Sequence, residues 1–224
     1  MDKKVPVITA ENTELLLDKK FLRLYDLQYA PGRHYYNVSR NTKENLAVLK
    51  SREAFRAMLP DAVSCFVIVL LPDGEPRLLL TKEYRYPTGQ FLLSIPAGLI
   101  DEKDKAGPDP LITAAKREIF EETGLLLKDT DRVFSVNDCC FSTPGMSDES
   151  NALICAVAKA EDASFLNSSG NEETELIGDF RLVTKEVAEQ YLASGRDEDG
   201  IFYSMYTFAA LLYFLSGRWR EGNA

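Results

Sequence analysis

The feature that most constrains this chain is residues 117–125, with the sequence REIFEETGL. It places three glutamates and an arginine in a segment that otherwise has the composition of a helix. On a helix, residues three and four positions apart share a face, so Glu118, Glu121 and Glu122 project to one side. Like charges on one face repel each other, and a divalent cation that takes oxygen ligands turns the repulsion into a binding site. A solvated acidic helix face is the alternative interpretation.

The segment also carries signals for the beginning and end of a helix. Asp109 can cap the helix, and Pro110 suits its first position. Gly124 ends it. Apolar residues 91–95 predict a strand, and residues 96–98, Pro-Ala-Gly, predict a tight turn after it. The sequence therefore predicts a strand, a turn, a loop and an acidic helix in succession.

This succession resembles the Nudix box, G-x5-E-x7-R-E-U-x-E-E-x-G-U, in which U is apolar. Gly98 matches the first glycine, and residues 117–125 match the second half at every defined position. Counting back eight positions from Arg117 gives Asp109 where the pattern has glutamate. Asp109 lies eleven positions after Gly98, whereas the pattern allows six. We therefore predict an insertion at residues 102–108, with Asp109 either replacing the glutamate or only capping the helix.

Motifs outside the box narrow the resemblance. KEYRYP at residues 82–87 and LLSIPAGLID at residues 92–101 are similar to the QYRxP…ELPAGxID run of ADP-ribose pyrophosphatases. STPGMSDE at residues 142–149 resembles the SPGxSDE loop of the same group. A small N-terminal unit before the core is also typical of that group. The resemblance covers roughly residues 21–215.

The resemblance implies a fold and an activity. The fold is α/β (α+β), with a mixed sheet between helices. The activity is metal-dependent hydrolysis of ADP-ribose to AMP and ribose 5-phosphate, with Mg²⁺, or Mn²⁺, as cofactor. Two alternatives stay open: hydrolysis of another nucleoside diphosphate sugar, and a sensor that binds ADP-ribose without cleaving it. The group is usually homodimeric through the N-terminal unit, so a homodimer is expected.

The resemblance also implies the metal ligands and the general base. Glu118, Glu121 and Glu122 are the expected metal ligands, together with the main-chain carbonyl of Ala97, and Arg117 is expected to pair with one of these carboxylates. Glu121 is also counted among the catalytic residues. The general base lies on a late loop in this group. The candidates, in order of preference, are Glu173, Glu149 and Glu175, with a solvated loop glutamate as the alternative for each.

Four further residues are predicted to contact substrate. Arg85 suits phosphate, because a guanidinium matches phosphate geometry; a strand-end ion pair with Glu83 is the alternative. Arg40 lies where the family has a substrate arginine. Phe21 and Tyr35 lie where the family stacks aromatic rings on adenine, and packing within the hairpin core is the alternative.

The rest of the chain divides into two predicted domains, residues 1–60 and 61–224. In the first, residues 21–29 and 34–40 flank a Pro-Gly turn and predict a hairpin, and residues 41–58 predict a helix or an irregular linker. In the second, strands are predicted at 62–71, 77–86, 131–141, 151–159 and 180–183, and helices at 184–193 and 201–216.

Composition limits the setting and the partners. The net charge of −9 and a pI near 4.8 argue against broad binding of nucleic acid, which favours basic surfaces. No apolar run approaches the length of a membrane span, and the N-terminus lacks a signal-peptide pattern. Four cysteines form neither a disulfide framework nor a metal spacing. We expect a cytoplasmic protein with reduced thiols that acts on a small phosphorylated substrate.

Overall fold

The computed structural model describes residues 5–168, 170 and 176–221. These residues form two compact units. One contains the described residues up to Asp61 together with Cys139–Asn151, and the other contains Ala62–Asp138 and the described residues from Ala152 onward. Nothing in the local sequence pattern indicated that residues 139–151 belong with the N-terminal unit, because that grouping depends on contacts between distant parts of the chain.

The first unit contains, within its described residues, a three-stranded antiparallel sheet in the order β1-β2-β3. The strands are β1 (Thr13–Lys19), β2 (Leu22–Ala30) and β3 (Arg33–Ser39). The predicted hairpin corresponds to β2 and β3. Strand β1 was not predicted, because its three consecutive leucines do not alternate with polar residues, and the pairing register shifts between Leu15 and Leu17.

Short helical turns follow this sheet where a helix or an irregular linker was predicted. They are single 3-10 turns at Lys43–Asn45 and Ala47–Leu49, and helix α1 (Arg52–Arg56), which Ser51 caps. Leu46, between the first two turns, is fully buried with Tyr25 and Leu27. The small core of the first unit is therefore built by one face of β2 and these turns.

Seven strands of the described residues form the second sheet. They are β4 (Ala62–Leu70), β5 (Pro76–Arg85), β6 (Gln90–Ser94), β7 (Ala97–Leu99), β8 (Arg132–Phe141), β9 (Ser150–Lys159) and β10 (Ile177–Val183). The order is β10-β5-β4-β9-β8, while β6 pairs with β5 and β7 pairs with β4. The five strands predicted outside the box are all present, with ends that differ by a few residues.

Helices cover both faces of this sheet. Helix α2 (Pro110–Thr123) packs on the face that carries Val63, Cys65 and Val67. Helices α3 (Lys185–Ser194) and α4 (Met205–Ser216) pack on the face that carries Phe66 and Ile68. Because side chains alternate across a strand, these two sets lie on opposite faces of β4. The predicted fold, a sheet between helices, is confirmed.

The helix ends follow local capping signals. The carboxylate of Asp109 accepts the Ile112 amide at 3.2 Å, and Gly124 ends α2 with a φ of 76°. Helix α4 begins later than predicted, because the hydroxyl of Ser204 caps it by accepting the Thr207 amide at 3.1 Å. No helix in the described part of the chain is long and apolar enough to cross a membrane.

Candidate active site

The acidic face of α2 is largely buried in the second unit. Glu118 and Glu122, one turn apart, are 6% and 4% exposed, and the side chain of Glu121 is 36% exposed. Burying ionised carboxylates is costly unless cations or hydrogen bonds stabilise them. The solvated helix face considered from the sequence therefore does not describe Glu118 and Glu122.

The tight turn before the helix lies directly against these carboxylates. A Cβ atom at Gly98 would fall inside the van der Waals radius of the Glu118 carboxylate, so only glycine fits there. The amide of Ala97 donates to Oε1 of Glu122 at 3.3 Å. Strand β7 pairs with β4 and thereby fixes this turn in the sheet. Residues from both halves of the box are thus brought together.

Arg117 joins the carboxylates of this region. Its Nη1 donates to Glu118 at 2.6 Å and to Glu121 at 3.0 Å, and Nη2 donates to the carbonyl of Leu99 at 2.9 Å. Nε and Nη2 donate to the two carboxylate oxygens of Asp104 at 3.2 and 2.8 Å. Burial acts to lower the pKa of Arg117, but these carboxylates outweigh it and raise that pKa above its ordinary value. The predicted pairing of Arg117 with a box carboxylate is present.

Asp104, rather than Asp109, is the aspartate that pairs with Arg117 at 2.8 Å. Asp104 is 1% exposed, lies in a 3-10 turn at Asp104–Ala106, and accepts the Asp101 amide at 2.9 Å. It stands six positions after Gly98, the spacing that the box pattern has for its first glutamate. The extra residues therefore lie between Asp104 and α2. Counting forward from Gly98, instead of back from Arg117, would have found this residue.

The carboxylates of α2 and the carbonyl of Ala97 are oxygen donors that suit a hard divalent cation, although they are not arranged around one. No three acidic, histidine or cysteine side chains within the described ranges already form a metal site. Instead, the guanidinium of Arg117 takes up oxygens of Glu118 and Glu121. The donor set is nonetheless all oxygen, and the missing side chain of Gly98 lets the Glu118 carboxylate lie directly against the turn. The predicted ligand set of Ala97, Glu118, Glu121 and Glu122 stays a prediction.

Two of the three candidates for the general base, Glu173 and Glu175, lie outside the described residues. The chain on either side of them is attached to the second unit. A Cβ added at Gly170 would lie 2.8 Å from the backbone of Glu121, so Gly170 packs against α2. The carbonyl of Leu176 accepts the amide of Tyr84 on β5 at 2.9 Å.

In the first unit, the third candidate base is bonded to another predicted site residue. Arg40 donates its Nε to Oε1 of Glu149 at 2.6 Å, and Ser142 contacts Oε2 at 3.4 Å. This ion pair competes with a water molecule for the carboxylate oxygen. In the structure, Glu149 and Arg40 are therefore partners of each other, and their predicted roles as base and substrate contact stay predictions.

The remaining predicted contacts are distributed over both units. In the second, Nη2 of Arg85 pairs with Glu83 at 2.5 Å, which is the ion pair considered from the sequence. In the first, the Tyr35 hydroxyl donates to the Gly145 carbonyl at 2.6 Å. Phe21 is 62% exposed, with the ammonium of Lys20 4.6 Å from its ring centre. Phe21 is therefore not part of the hairpin core.

Comparisons with known proteins find similarity in both sequence and fold. The model of the NUDIX domain matches residues 58–202. An uncharacterized Nudix hydrolase of Schizosaccharomyces pombe is 29% identical over 68% of this chain and 70% of its own length. An ADP-ribose pyrophosphatase of Saccharomyces cerevisiae is 35% identical over 46% of this chain, a match that spans only 40% of the yeast protein. A crystal structure of an ADP compounds hydrolase matches the fold with a TM-score of 0.62 at 20% identity, over 99% of this chain and 97% of that one.

Proposed function

Because the chain belongs to the Nudix family, we propose that it hydrolyses the pyrophosphate of ADP-ribose, with AMP and ribose 5-phosphate as products. That the chain is a Nudix hydrolase follows from its membership; the choice of ADP-ribose is the proposal. The observation that carries the proposed hydrolysis is the buried acidic face of α2, where Glu118 and Glu122 meet the turn at Gly98. The similarity to ADP-ribose pyrophosphatases supports the choice of substrate.

We propose that Glu118, Glu121, Glu122 and the carbonyl of Ala97 hold the divalent ion that Nudix hydrolases generally use, with Mg²⁺ as the physiological ion. A bound ion would neutralise the pyrophosphate oxygens and increase the acidity of water. Arg117 keeps the carboxylates oriented in the protein, since it is anchored to Asp104 and to the carbonyl of Leu99.

We propose Glu173 as the general base. Glu173 lies outside the described residues, so its support comes from the resemblance and from the attachment of Gly170 to the backbone of Glu121. Glu175 is the second choice, and Glu149 ranks last because Arg40 occupies one of its oxygens. Glu→Gln variants at the three positions separate them, since only loss of the true base removes the acidic limb of the pH profile of kcat. An unchanged profile in the Glu173→Gln variant would refute this assignment.

The substrate contacts, oligomeric state and location are proposals that rest on the same resemblance. Arg85, Arg40, Phe21 and Tyr35 are proposed to bind the nucleotide, and the first unit is proposed to form a homodimer. A cytoplasmic location fits the cysteines: all four lie in the described residues, and none forms a disulfide. Sedimentation of the purified chain tests the dimer directly, and a monomer at micromolar concentration would refute it.

A substrate panel tests the proposed reaction. The purified protein is incubated with Mg²⁺ and with ADP-ribose, other nucleoside diphosphate sugars or diadenosine polyphosphates, and the products are separated by chromatography. ADP-ribose is expected to give AMP and ribose 5-phosphate with the highest kcat/KM. Preference for another nucleoside diphosphate sugar would replace the proposed substrate. Binding of ADP-ribose without turnover of any compound would refute the hydrolase and favour a sensor.

The metal ligands are tested with a matched pair of variants. Glu122→Gln keeps the size of a side chain that is 4% exposed and removes its charge, so we expect most activity to be lost while the fold is kept. Glu161→Gln makes the same change at an exposed position and is expected to retain full activity. Equal activity of the two variants would remove Glu122 from the proposed site.

A further inference from the structure

A second candidate ligand site is a cleft of about 320 Å³ in the second unit. Its lining includes Lys82, Gln90, Phe91, Gly178, Asp179 and Asp199, and none of its residues comes from α2. Ligand sites in proteins typically measure about 300–1,000 Å³. This cleft is therefore large enough for one ring system and too small for a whole dinucleotide.

One wall of the cleft is an uncovered aromatic ring. Phe91, on β6, is 43% exposed, and its ring meets that of Tyr84 at an angle of 65° with a centroid distance of 5.3 Å. Across from it, a Cβ atom at Gly178 would lie 3.0 Å from the Phe91 ring. Glycine at that position therefore lets the backbone of β10 pack closely against this part of the ring, and the exposure of Phe91 lies elsewhere on the ring. Partly exposed aromatic rings can bind flat rings by stacking.

The other walls are polar and carry excess negative charge. Lys82 is 7% exposed, and its ammonium contacts Asp199, Asp197 at 3.3 Å and Glu198 at 3.2 Å. Arg181 donates to Asp179 and, at 2.7 Å, to Glu198. Four carboxylates thus surround two cations, and of these six groups Lys82, Asp179 and Asp199 line the cleft itself. This charge repels phosphate groups and favours a ligand that is cationic or donates hydrogen bonds.

Two of these carboxylates remain accessible from the cleft. The side chains of Asp179 and Asp199 are 60% and 64% exposed. A carboxylate has about four lone-pair positions, so each can accept a further hydrogen bond while it keeps its present partner. The amide of Gln90 provides both a donor and an acceptor at the same opening.

We propose that this cleft binds a planar heterocycle that carries a positive charge or an exocyclic amino group. The ring stacks on Phe91, where a cationic ring also gains from the π face. Its donors point toward Asp179 and Asp199. A pyridinium ring and an aminopurine share this chemistry. The site is independent of the hydrolysis proposed for α2, because it uses none of the same residues.

Calorimetric titration of the full chain tests the site. The probes are N-methylnicotinamide, a cationic ring, and adenosine, an aminopurine; benzoate, a flat anion, is the negative control. Both probes are expected to bind, and benzoate is not. The probe that binds more tightly shows whether the ligand carries a pyridinium ring or an aminopurine. Phe91→Ala is expected to weaken binding about tenfold or more, which is the effect of removing one stacked ring.

The matched control is Tyr86→Ala on the same hairpin, where the side chain is 66% exposed and does not line the cleft. Its binding of both probes is expected to equal that of the wild type. Thermal denaturation checks the fold; if Phe91→Ala unfolds, Phe91→Leu keeps an apolar side chain but removes the π face. Absence of binding at millimolar probe, tight binding of benzoate, or equal effects at positions 91 and 86 would overturn the proposal.

Discussion

Replacing Asp104 with asparagine tests whether this residue, rather than Asp109, is the carboxylate that supports the acidic helix α2. The substitution keeps the size of a side chain that is 1% exposed and removes its charge. Both of its oxygens now accept from Arg117, at 3.2 and 2.8 Å. The amide can still accept one of these hydrogen bonds, but its NH₂ group faces a guanidinium donor.

The magnitude follows from the contacts. Removing one partner of a buried ion pair typically costs about 3–5 kcal/mol. Arg117 keeps Glu118 and Glu121 as partners, so its charge is not left isolated. We therefore expect a loss of about 2–3 kcal/mol in the free energy of unfolding. For a chain of this length, that corresponds to a fall of roughly 4–12 °C in Tm.

The assay compares Asp104→Asn with Asp109→Asn by calorimetry and by activity at several Mg²⁺ concentrations. Asp109 is an exposed helix cap, and asparagine caps about as well, so its variant is expected to change stability by less than about 0.5 kcal/mol. Asp104→Asn also frees the guanidinium of Arg117 to bind Glu118 and Glu121 more tightly. The Mg²⁺ concentration at half-maximal activity is therefore expected to rise in that variant alone.

The contribution of Asp104 to the free energy of unfolding depends on pH with a defined sign. Burial acts to raise the pKa of Asp104, but hydrogen bonds from Arg117 and the Asp101 backbone outweigh it and lower that pKa. The contribution of Asp104 is therefore complete above about pH 4, near the pKa of an unfolded aspartate, and is lost as the pH falls further. Equal stability of the Asp104→Asn and Asp109→Asn variants at pH 7 would refute the reasoning.

Two further predictions concern other contacts of the second unit. Gly98→Ala is expected to displace the Glu118 carboxylate and abolish most activity, whereas Gly107→Ala, whose Cβ would meet its nearest atom at an ordinary 3.5 Å, is expected to have little effect in the same kinetic assay. Burial raises the pKa of Glu198, but Tyr191, Arg181 and other partners outweigh it and lower the pKa to about 2. The stability difference between wild type and Glu198→Gln is therefore expected to be full above about pH 4.5 and to vanish toward pH 2, as followed by urea denaturation; a difference that grows on acidification would contradict this.

Much of the fold could be predicted because its signals are local. The ends of α2 and α3 follow from a capping side chain and a terminal glycine, each within a few residues of the helix. The buried strand β4 follows from a continuous apolar run. Strand β1 could not be predicted because its three adjacent leucines do not alternate with polar residues. They form a strand through their pairing with β2.

The part of the candidate site that could be predicted is the part that depends on the spacing of residues along one helix. The acidic residues of α2 are three and four positions apart and therefore share one face of any α-helix. Their grouping could be predicted without tertiary information. The pairing of Arg40 with Glu149 was different, because it joins residues 109 positions apart. The cluster around Lys82 was missed for the same reason, since the run 197–199 alone has the composition of a solvated turn.

The sequence by itself determined an acidic helix, a glycine turn before it, and the family to which both belong. Those features depend on helix geometry and backbone sterics, which act over a few residues. Only the tertiary structure decided that Asp104 anchors Arg117, that Asp109 is just a cap, and that residues 139–151 belong with the N-terminal unit. These outcomes depend on which distant groups can bury their charges and hydrogen bonds together, and no local pattern encodes that choice.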